Sequence, residues 1–483
     1  MKKWVRYTVR ILSGIVLLLL CWAVYFVYWQ LAPIAAGYKA KLMCSAVFVA
    51  NRQEKTILAE ELSPVNKFLS FVSTAVDYNE KTATATAFGL VKRTAVYREC
   101  LGCTILPDGW RKEDLKQQVS CKDVLPADPE KTSWPTGDLN AVGPIPPGVD
   151  AKKLEAAVAS AFAESDPDRP KRTRGVVVVY KGRIIAERYA PGFTKDTPQH
   201  AWSMSKSLTN TLTGILVGEG KLDINAPAPV KEWQAPGDPR SAITLSHLLR
   251  MSGGFDFHTD MSLVGDRQKM LFGAVDVGAS AVAPKLLYPP GTYWEYSNAN
   301  PHTIWKVIHE KLGGGDEYFS FSRKALFNRI GMRSALIEPD PYGTFMGAAF
   351  AWATPRDWAR LGLLYLNDGV WEGKRILPEG WVAYSITPAP ADKMKHYGAF
   401  LWLNADNSAE NIARKKLSLS EPPFSELPRD AYFFWGMWDQ TVTIIPSCEL
   451  VLVRMGLTHV DGAFKTGKFV GDIIAALGRN PAK

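Results

Sequence analysis

Acyl transfer by a serine needs an activated hydroxyl, a base within hydrogen-bond reach and donors for the developing oxyanion. The chain offers one S-x-x-K, Ser203-Met204-Ser205-Lys206. On a helix, Lys206 returns to the face of Ser203 one turn later. A lysine desolvated there gives up its proton more readily and can accept the serine proton. The second element is Tyr296-Ser297-Asn298, inside PPGTYWEYSNAN (289–300), where Pro289, Pro290 and Gly291 demand a loop. Such a loop can carry a phenol and an amide to a helix end. Beside an ammonium, Tyr296 would ionise more easily and relay a proton to the leaving group, while Asn298 hydrogen-bonds Lys206 and the substrate. A rival, Tyr365-Leu366-Asn367, follows an apolar run and precedes Asp368-Gly369, so it reads as a buried helix end. The sequence has neither a G-x-S-x-G elbow nor an HExxH motif. Histidines 200, 247, 258, 302, 309, 396 and 459 show no ligand spacing, and His200 reads as structural. Cys100-Leu101-Gly102-Cys103 is half of a zinc pattern without its partner pair, so a zinc site is not expected there.

The elements that must hold these groups can be read from periodicity. After Ser203, Leu208, Leu212, Ile215 and Leu216 recur at helical spacing up to Gly218 and Gly220. Ser203 thus sits at a helix N-terminus, whose partial positive charge favours developing negative charge. Asp150 is placed to cap a helix carrying Leu154, Val158 and Phe162. RGVVVVYKGRIIAERYA (174–190) reads as a hairpin turning at Lys181-Gly182. Residues 441–446 and 450–455 form a second hairpin pattern, and a closing helix fits 464–477. Strands at both ends around a helical middle imply an α+β fold whose terminal strands share one sheet. Upstream, segment 84–98 alternates as half-buried strands do, and residues 126–148 are rich in Pro and Gly, as linkers are.

The start of the chain is of another kind. Residues 11–29 carry no charge, and at about 1.5 Å per residue they reach about 28 Å, close to a hydrocarbon core. Lys2, Lys3, Arg6 and Arg10 precede them and Trp22, Tyr25, Tyr28 and Trp29 crowd the far end. That pattern predicts a single-pass anchor with residues 1–10 in the cytoplasm and the remainder outside. A cleaved signal peptide is the competing reading, with Ala35-Ala36-Gly37 as its site. The net charge of +9 includes no long basic run beyond this flank, so nucleic acid is not an expected partner. Cys44, Cys100, Cys103 and Cys121 cluster in sequence, as disulfides of an exported region would, and spacing alone leaves three pairings open.

The order S-x-x-K, then PGT with YSN, resembles the serine β-lactamase and penicillin-binding superfamily. HLLRMSGG (247–254) and ATPRDWARLGLLYLNDGVWEGKRIL (353–377) resemble segments of its class C-like branch. Gly436-Met437-Trp438-Asp439-Gln440 before a hairpin resembles the 6-aminohexanoate-dimer hydrolase and esterase subgroup more than true β-lactamases. The likeness spans about residues 145–477 and implies a β-lactamase/transpeptidase-like fold: an antiparallel sheet with helices and a helical subdomain. It also implies an acyl-enzyme on Ser203, with Lys206 and Tyr296 sharing the acid and base roles and with no need of a metal or organic cofactor. Backbone amides of Ser203 and Met437 would form the oxyanion hole. Anchored members of the subgroup imply a Cys44–Cys103 disulfide.

One motif departs from the family. Where Lys-Thr-Gly or His-Thr-Gly is usual on the edge strand, this chain reads Phe434-Trp435-Gly436. Gly436 keeps room for close substrate approach. The cationic partner for a β-lactam carboxylate is gone, and Trp435 and Trp438 offer an apolar wall instead. Lys465-Thr466-Gly467 spells the missing motif but falls after the last hairpin, so it is expected to be a helix start and not the motif.

The resulting expectation has four parts: residues 1–36 as a membrane anchor, 37–125 as a small disulfide-containing β-rich region, 126–148 as a linker, and 149–483 as the hydrolase domain. The function expected is that of an amidase or esterase in the periplasm, held at a bacterial inner membrane and acting on a small-molecule substrate. Ser203, Lys206 and Tyr296 would be catalytic, and Asn298, Trp435, Gly436 and Met437 would contact substrate. A penicillin-recognising D,D-peptidase or β-lactamase is the alternative, and an acylated sensor without turnover is a remoter one. Composition and spacing are silent on oligomeric state.

Overall fold

The computed structural model describes residues 2–62, 67–115, 128–259, 262, 264–413 and 421–479. It opens with helix α1 (Lys2–Tyr25), which passes through a π-helical stretch (Phe26–Leu31) into α2 (Ala32–Phe48) without a break in the helical path. From Trp4 through Tyr25 every residue of α1 is exposed. Among the described residues one helix, Trp4–Phe48, is long and apolar enough to cross a membrane. Yet α2 is buried along most of its length, so apolar residues there serve a protein interior. The expected boundary between residues 36 and 37 therefore falls inside a helix.

Helix α2 is packed on a four-stranded antiparallel sheet of β1 (Val72–Asp77), β2 (Thr82–Ala87), β3 (Val91–Arg98) and β4 (Gly102–Ile105). Alternating burial of Ala83, Ala85 and Ala87 in β2 shows why TATATA forms a strand: small residues face α2 and threonines face outwards. Cys44 of α2 and Cys103 of β4 form a disulfide, with Cα atoms 6.1 Å apart. Cys100 is also disulfide-bonded; Cys121 lies outside the described residues. These oxidised thiols leave no ligands for the zinc half-pattern. Beside this link, Lys41 pairs with Glu338 at 2.9 Å, both nearly inaccessible. Ser45 Oγ and the Cys103 amide each donate to Glu338 Oε1 at 2.7 Å. A charge so deeply buried is tolerable only with its partners in place, so this cluster bolts the N-terminal region to the main body.

The segment 128–148 is fastened as well. Trp134 Nε1 donates to Gly182 O at 2.8 Å, and Arg360 donates to Pro135 O at 2.6 Å and Gly137 O at 2.8 Å. Its prolines and glycines make a strap of turns whose carbonyls need donors, not a free tether.

The main body begins at α3 (Ala151–Phe162), capped by Asp150 Oδ1 accepting from the amides of Lys152 and Lys153. A six-stranded antiparallel sheet follows from β5 (Thr173–Tyr180), β6 (Arg183–Tyr189), β7 (Trp402–Leu403), β8 (Tyr432–Gly436), β9 (Gln440–Ile445) and β10 (Leu450–Gly456), in the order β7-β8-β9-β10-β5-β6. First and last strands of the domain thus lie side by side, β10 pairing with β5. Lys181 and Gly182 both take positive φ, 50° and 78°, as a two-residue hairpin turn requires. The helical part contributes α4 (Ser205–Gly218), α5 (Asp266–Phe272), α6 (Ala299–Lys311) and α7 (Pro355–Leu366), and α8 (Thr466–Ala476) closes the chain against α3. This is the expected α+β architecture. Lys465 precedes the first turn of α8 and is exposed, well after the β9–β10 hairpin.

Candidate active site

Ser203 lies in a short 3-10 turn (Trp202–Met204) that runs straight into α4. Trp202 holds φ at 47°, a conformation that a bulky side chain adopts only under constraint. The constraints are visible. Ala201 N donates to Ala351 O at 2.9 Å, Ser205 Oγ donates to Trp202 O at 2.6 Å, and Gln440 Nε2 donates to His200 O at 2.7 Å. His200 itself is buried and bonded to Ala349 O at 2.7 Å, and burial pushes its pKa down to about 3. It lines neither cavity at the serine, in keeping with a structural role.

Lys206 is 1 % exposed. Its Nζ is 3.1 Å from Ser203 Oγ and donates to Ala348 O at 2.8 Å. Burial drives its pKa well below the ordinary lysine value, and the positive charge of Arg267 adds to the shift. A neutral amine beside a serine hydroxyl can accept its proton. The Tyr296 hydroxyl is hydrogen-bonded to Ser203, and its ring lies 4.8 Å from Lys206 Nζ. Burial raises the Tyr296 pKa, with the Ser203 hydrogen bond pulling the other way. The phenol therefore stays protonated at neutral pH. This reverses the sequence expectation that a nearby ammonium would ease its ionisation: desolvation acts on both groups, lowering the lysine pKa and raising that of the phenol. Stacking on Trp402 (ring centroids 5.7 Å apart) and an edge contact with Tyr397 fix the ring.

Asn298 ends the same loop at the start of α6 and is buried. Lys206 is bonded to Ser203 and Ala348, and Asn298 lines the cavity next to them instead of bonding the amine. Gly436 ends β8 beside the serine turn. A Cβ there would stand 2.3 Å from Ala201 O and 3.3 Å from Met204 Cγ. The glycine thus serves the close approach of strand to turn, where the sequence had suggested approach of substrate. Met437, Trp438 and Asp439 make the β8–β9 turn, and Trp438 and Asp439 hold positive φ of 67° and 58°. Arg454, fully buried on β10, donates to the carbonyls of Trp438 (3.1 Å) and Asp439 (2.8 Å) and so fixes that turn. Tyr365 of the rival Y-x-N is buried in α7 and donates to Asn210 Oδ1 at 2.5 Å, away from Ser203.

Two cavities meet at Ser203. One, of about 260 Å³, is walled by Leu31, Ile34, Ala35 and Tyr38 of the N-terminal helix together with Leu69, Leu271 and Phe272. The other, about 890 Å³ and wider, is bordered by Trp402, Trp435, Gly436 and Thr458, with His258, Glu421 and Asp461 also on it. Tyr296, Met437, Trp438, Arg267 and His459 border both. Of the residues singled out from sequence, Ser203, Lys206, Tyr296, Asn298, Trp435, Gly436 and Met437 all converge here. Arg267, His459 and the N-terminal helix were not anticipated. Arg267 sits in a stretch without motif or clear periodicity, and nothing in one sequence marks it.

A Ser–Lys pair at the head of a buried helix, packed behind an edge of an antiparallel sheet, places the chain among hydrolases of β-lactamase-like fold. It belongs to the beta-lactamase family, which it matches over residues 161–461. A relative is the 6-aminohexanoate-dimer hydrolase of Paenarthrobacter ureafaciens, 24 % identical over 284 residues, covering 55 % of this chain and 70 % of the relative. Among solved structures, a candidate 6-aminohexanoate-dimer hydrolase from Bacillus anthracis superposes with a TM-score of 0.52 at 21 % identity, covering 63 % of this chain and 79 % of that one. A family VIII carboxylesterase gives 0.51 at 17 % identity, covering 69 % and 98 %.

Proposed function

We propose that the protein is a membrane-anchored serine hydrolase of amides or esters, working through an acyl-enzyme on Ser203. The observation that carries this reading is the buried Lys206 amine 3.1 Å from Ser203 Oγ, its pKa held well below the ordinary lysine value by burial, with the Tyr296 hydroxyl on the same oxygen. As Oγ bonds to the acyl carbon, Lys206 takes its proton. Tyr296 gives a proton to the departing amine or alkoxide as the C–N or C–O bond breaks, and regains one from Lys206. Water then attacks the acyl-enzyme by the reverse relay and releases the acid. Backbone amides of Ser203 and Met437 would hold the oxyanion, a contribution of about 3 kcal/mol per donor. The names of the relatives, a 6-aminohexanoate-dimer hydrolase and a family VIII carboxylesterase, agree with this class. Replacement of the usual cation by Phe434-Trp435 weighs against a β-lactam as the main substrate.

Retention of the N-terminal helix is supported by packing. Cleavage near Ala35-Ala36-Gly37 would cut α2 through buried residues, beside a cavity wall. The test is labelling of purified protein with a fluorophosphonate, followed by peptide mapping and intact mass. Label at Ser203, lost in Ser203→Ala, on a chain that keeps residues 1–36 is the expected result. Label on another serine would refute the mechanism, and a mature N-terminus near Gly37 would refute the anchor.

A further inference from the structure

The helix that could cross a bilayer also forms a wall of the cavity at Ser203, and that continuity bears on what the enzyme cleaves. The exposed aromatic residues Trp22, Tyr25, Tyr28 and Trp29 mark where α1 would leave the hydrocarbon. The cavity wall starts two residues later with Leu31 and continues with Ile34, Ala35 and Tyr38. At about 1.5 Å per residue, Ile34 lies only about 8 Å along the axis from Trp29.

A second element points the same way. Lys39 Nζ bonds Val72 O at 2.7 Å, and the Phe48 ring contacts Tyr78, so β1 runs alongside α2 in the same direction. The start of β1 and the β2–β3 turn, Phe88–Leu90, therefore lie at the end of the sheet nearest α1. That end carries Phe71, Phe88 and Leu90 at 60 %, 43 % and 69 % exposure, with Phe71 stacked on Phe88 at 5.7 Å. Exposed aromatic and leucine side chains on a short loop gain free energy by entering an interface. Leu69, two residues before Phe71, is buried and lines the same cavity. The span and the apolar tip thus flank one apolar chamber that opens onto the nucleophile, while the wider chamber with its charged border lies on the other side of Ser203.

We infer that the substrate is an amphiphile with a long hydrocarbon chain, an ester or amide taken from the bilayer surface. This rests on the hydrolase reading above. The chain lies in the chamber walled by Leu31, Ile34 and Ala35, the scissile carbonyl sits at Ser203, and the polar portion lies in the wider chamber. Acylation forms the Oγ–C bond and breaks the C–O or C–N bond, and water supplies the oxygen that releases the acid.

The test uses the full chain in phosphatidylcholine vesicles with nitrophenyl esters. kcat/KM for the laurate should exceed that for the acetate by about tenfold or more, since each methylene buried adds binding that the acetate lacks. Ala35→Phe, which fills the chamber, should lower the laurate-to-acetate ratio by about tenfold. Equal rates on both esters, or a ratio untouched by Ala35→Phe in a variant that still labels with fluorophosphonate, would overturn the inference. An independent arm needs no variant: dodecyl fluorophosphonate should inactivate the unmutated protein faster than ethyl fluorophosphonate, and equal inactivation rates would overturn it. Absence of any ester turnover and of any label would instead overturn the hydrolase reading itself.

Discussion

Replacing Lys206 with methionine separates what the buried amine costs from what it does. In the unfolded chain the amine binds a proton below about pH 10.4. In the folded protein burial, aided by Arg267, holds its pKa well below that. Between the two values the unfolded state carries the extra proton, so stability rises with pH by about 1.4 kcal/mol per unit. Below the folded value both states are charged and the slope ends. Methionine removes this dependence and keeps most of the volume. It also gives up the contacts to Ser203 Oγ and Ala348 O, a pH-independent loss of about 1 kcal/mol each. Two such losses are offset about 1.5 pH units below 10.4. Lys206→Met should therefore be less stable than the wild type at pH 10, equal to it near pH 9, and more stable at lower pH. Denaturant unfolding in detergent at a series of pH values reads the difference. Alongside it, the fluorophosphonate labelling rate of the wild type should rise with pH and level off well below 10.4, and Lys206→Met should lose about a hundredfold or more of that rate. A stability difference that does not change with pH, or a labelling rate that keeps climbing through pH 10, would refute the neutral amine.

Gly436→Val puts a side chain where Cβ would already stand 2.3 Å from Ala201 O; the serine turn must move by about an ångström, and kcat/KM should fall by about a hundredfold or more with folding retained by circular dichroism. Glu338→Ala leaves the buried Lys41 amine without its 2.9 Å partner, and should cost about 3–5 kcal/mol in chemical denaturation; a Lys41→Met/Glu338→Leu pair should recover much of this. Lys465→Ala, on an exposed helix start, should change kcat/KM by less than about threefold, under about 1 kcal/mol of transition-state stabilisation.

The parts of this fold that were legible in sequence are those whose signal is local. The cap at Asp150, the turn at Lys181-Gly182 and the β9–β10 hairpin depend on residue types within a few positions, and all three occur as read. Ser203, Lys206 and Tyr296 were visible because their types and spacing are constrained by chemistry. What failed was the direction of the Tyr296 shift and the partner of Gly436. Both depend on what packs around the residue: desolvation of the whole Lys206–Tyr296 pair in one case, the Ala201 carbonyl in the other. Arg454 shows the same limit. Nothing local in LVLVRM marks it, yet it is fully buried and holds the turn that carries Met437.

The N-terminal helix was misdivided for a deeper physical reason. Hydropathy reports that a segment avoids water, not whether lipid or protein replaces it. Both sides of Ala32 belong to one apolar helix, but most residues before it are exposed and most of those after it are buried. What marks the second half is Lys39 and Lys41, charges that the run 11–29 lacks and that the centre of a lipid-facing helix would not carry. Their partners, Val72 O and Glu338, lie 33 and 297 residues further along the chain. Once those bonds are seen, α2 cannot be an anchor that merely tethers a catalytic domain. Pulling it out would strand two lysines, break the Cys44–Cys103 link and remove a wall of the chamber at Ser203. The segment long and apolar enough to cross a membrane and the segment that shapes the candidate site are one helix, so under the anchored reading proposed above the position of the enzyme relative to the bilayer would follow from its active site.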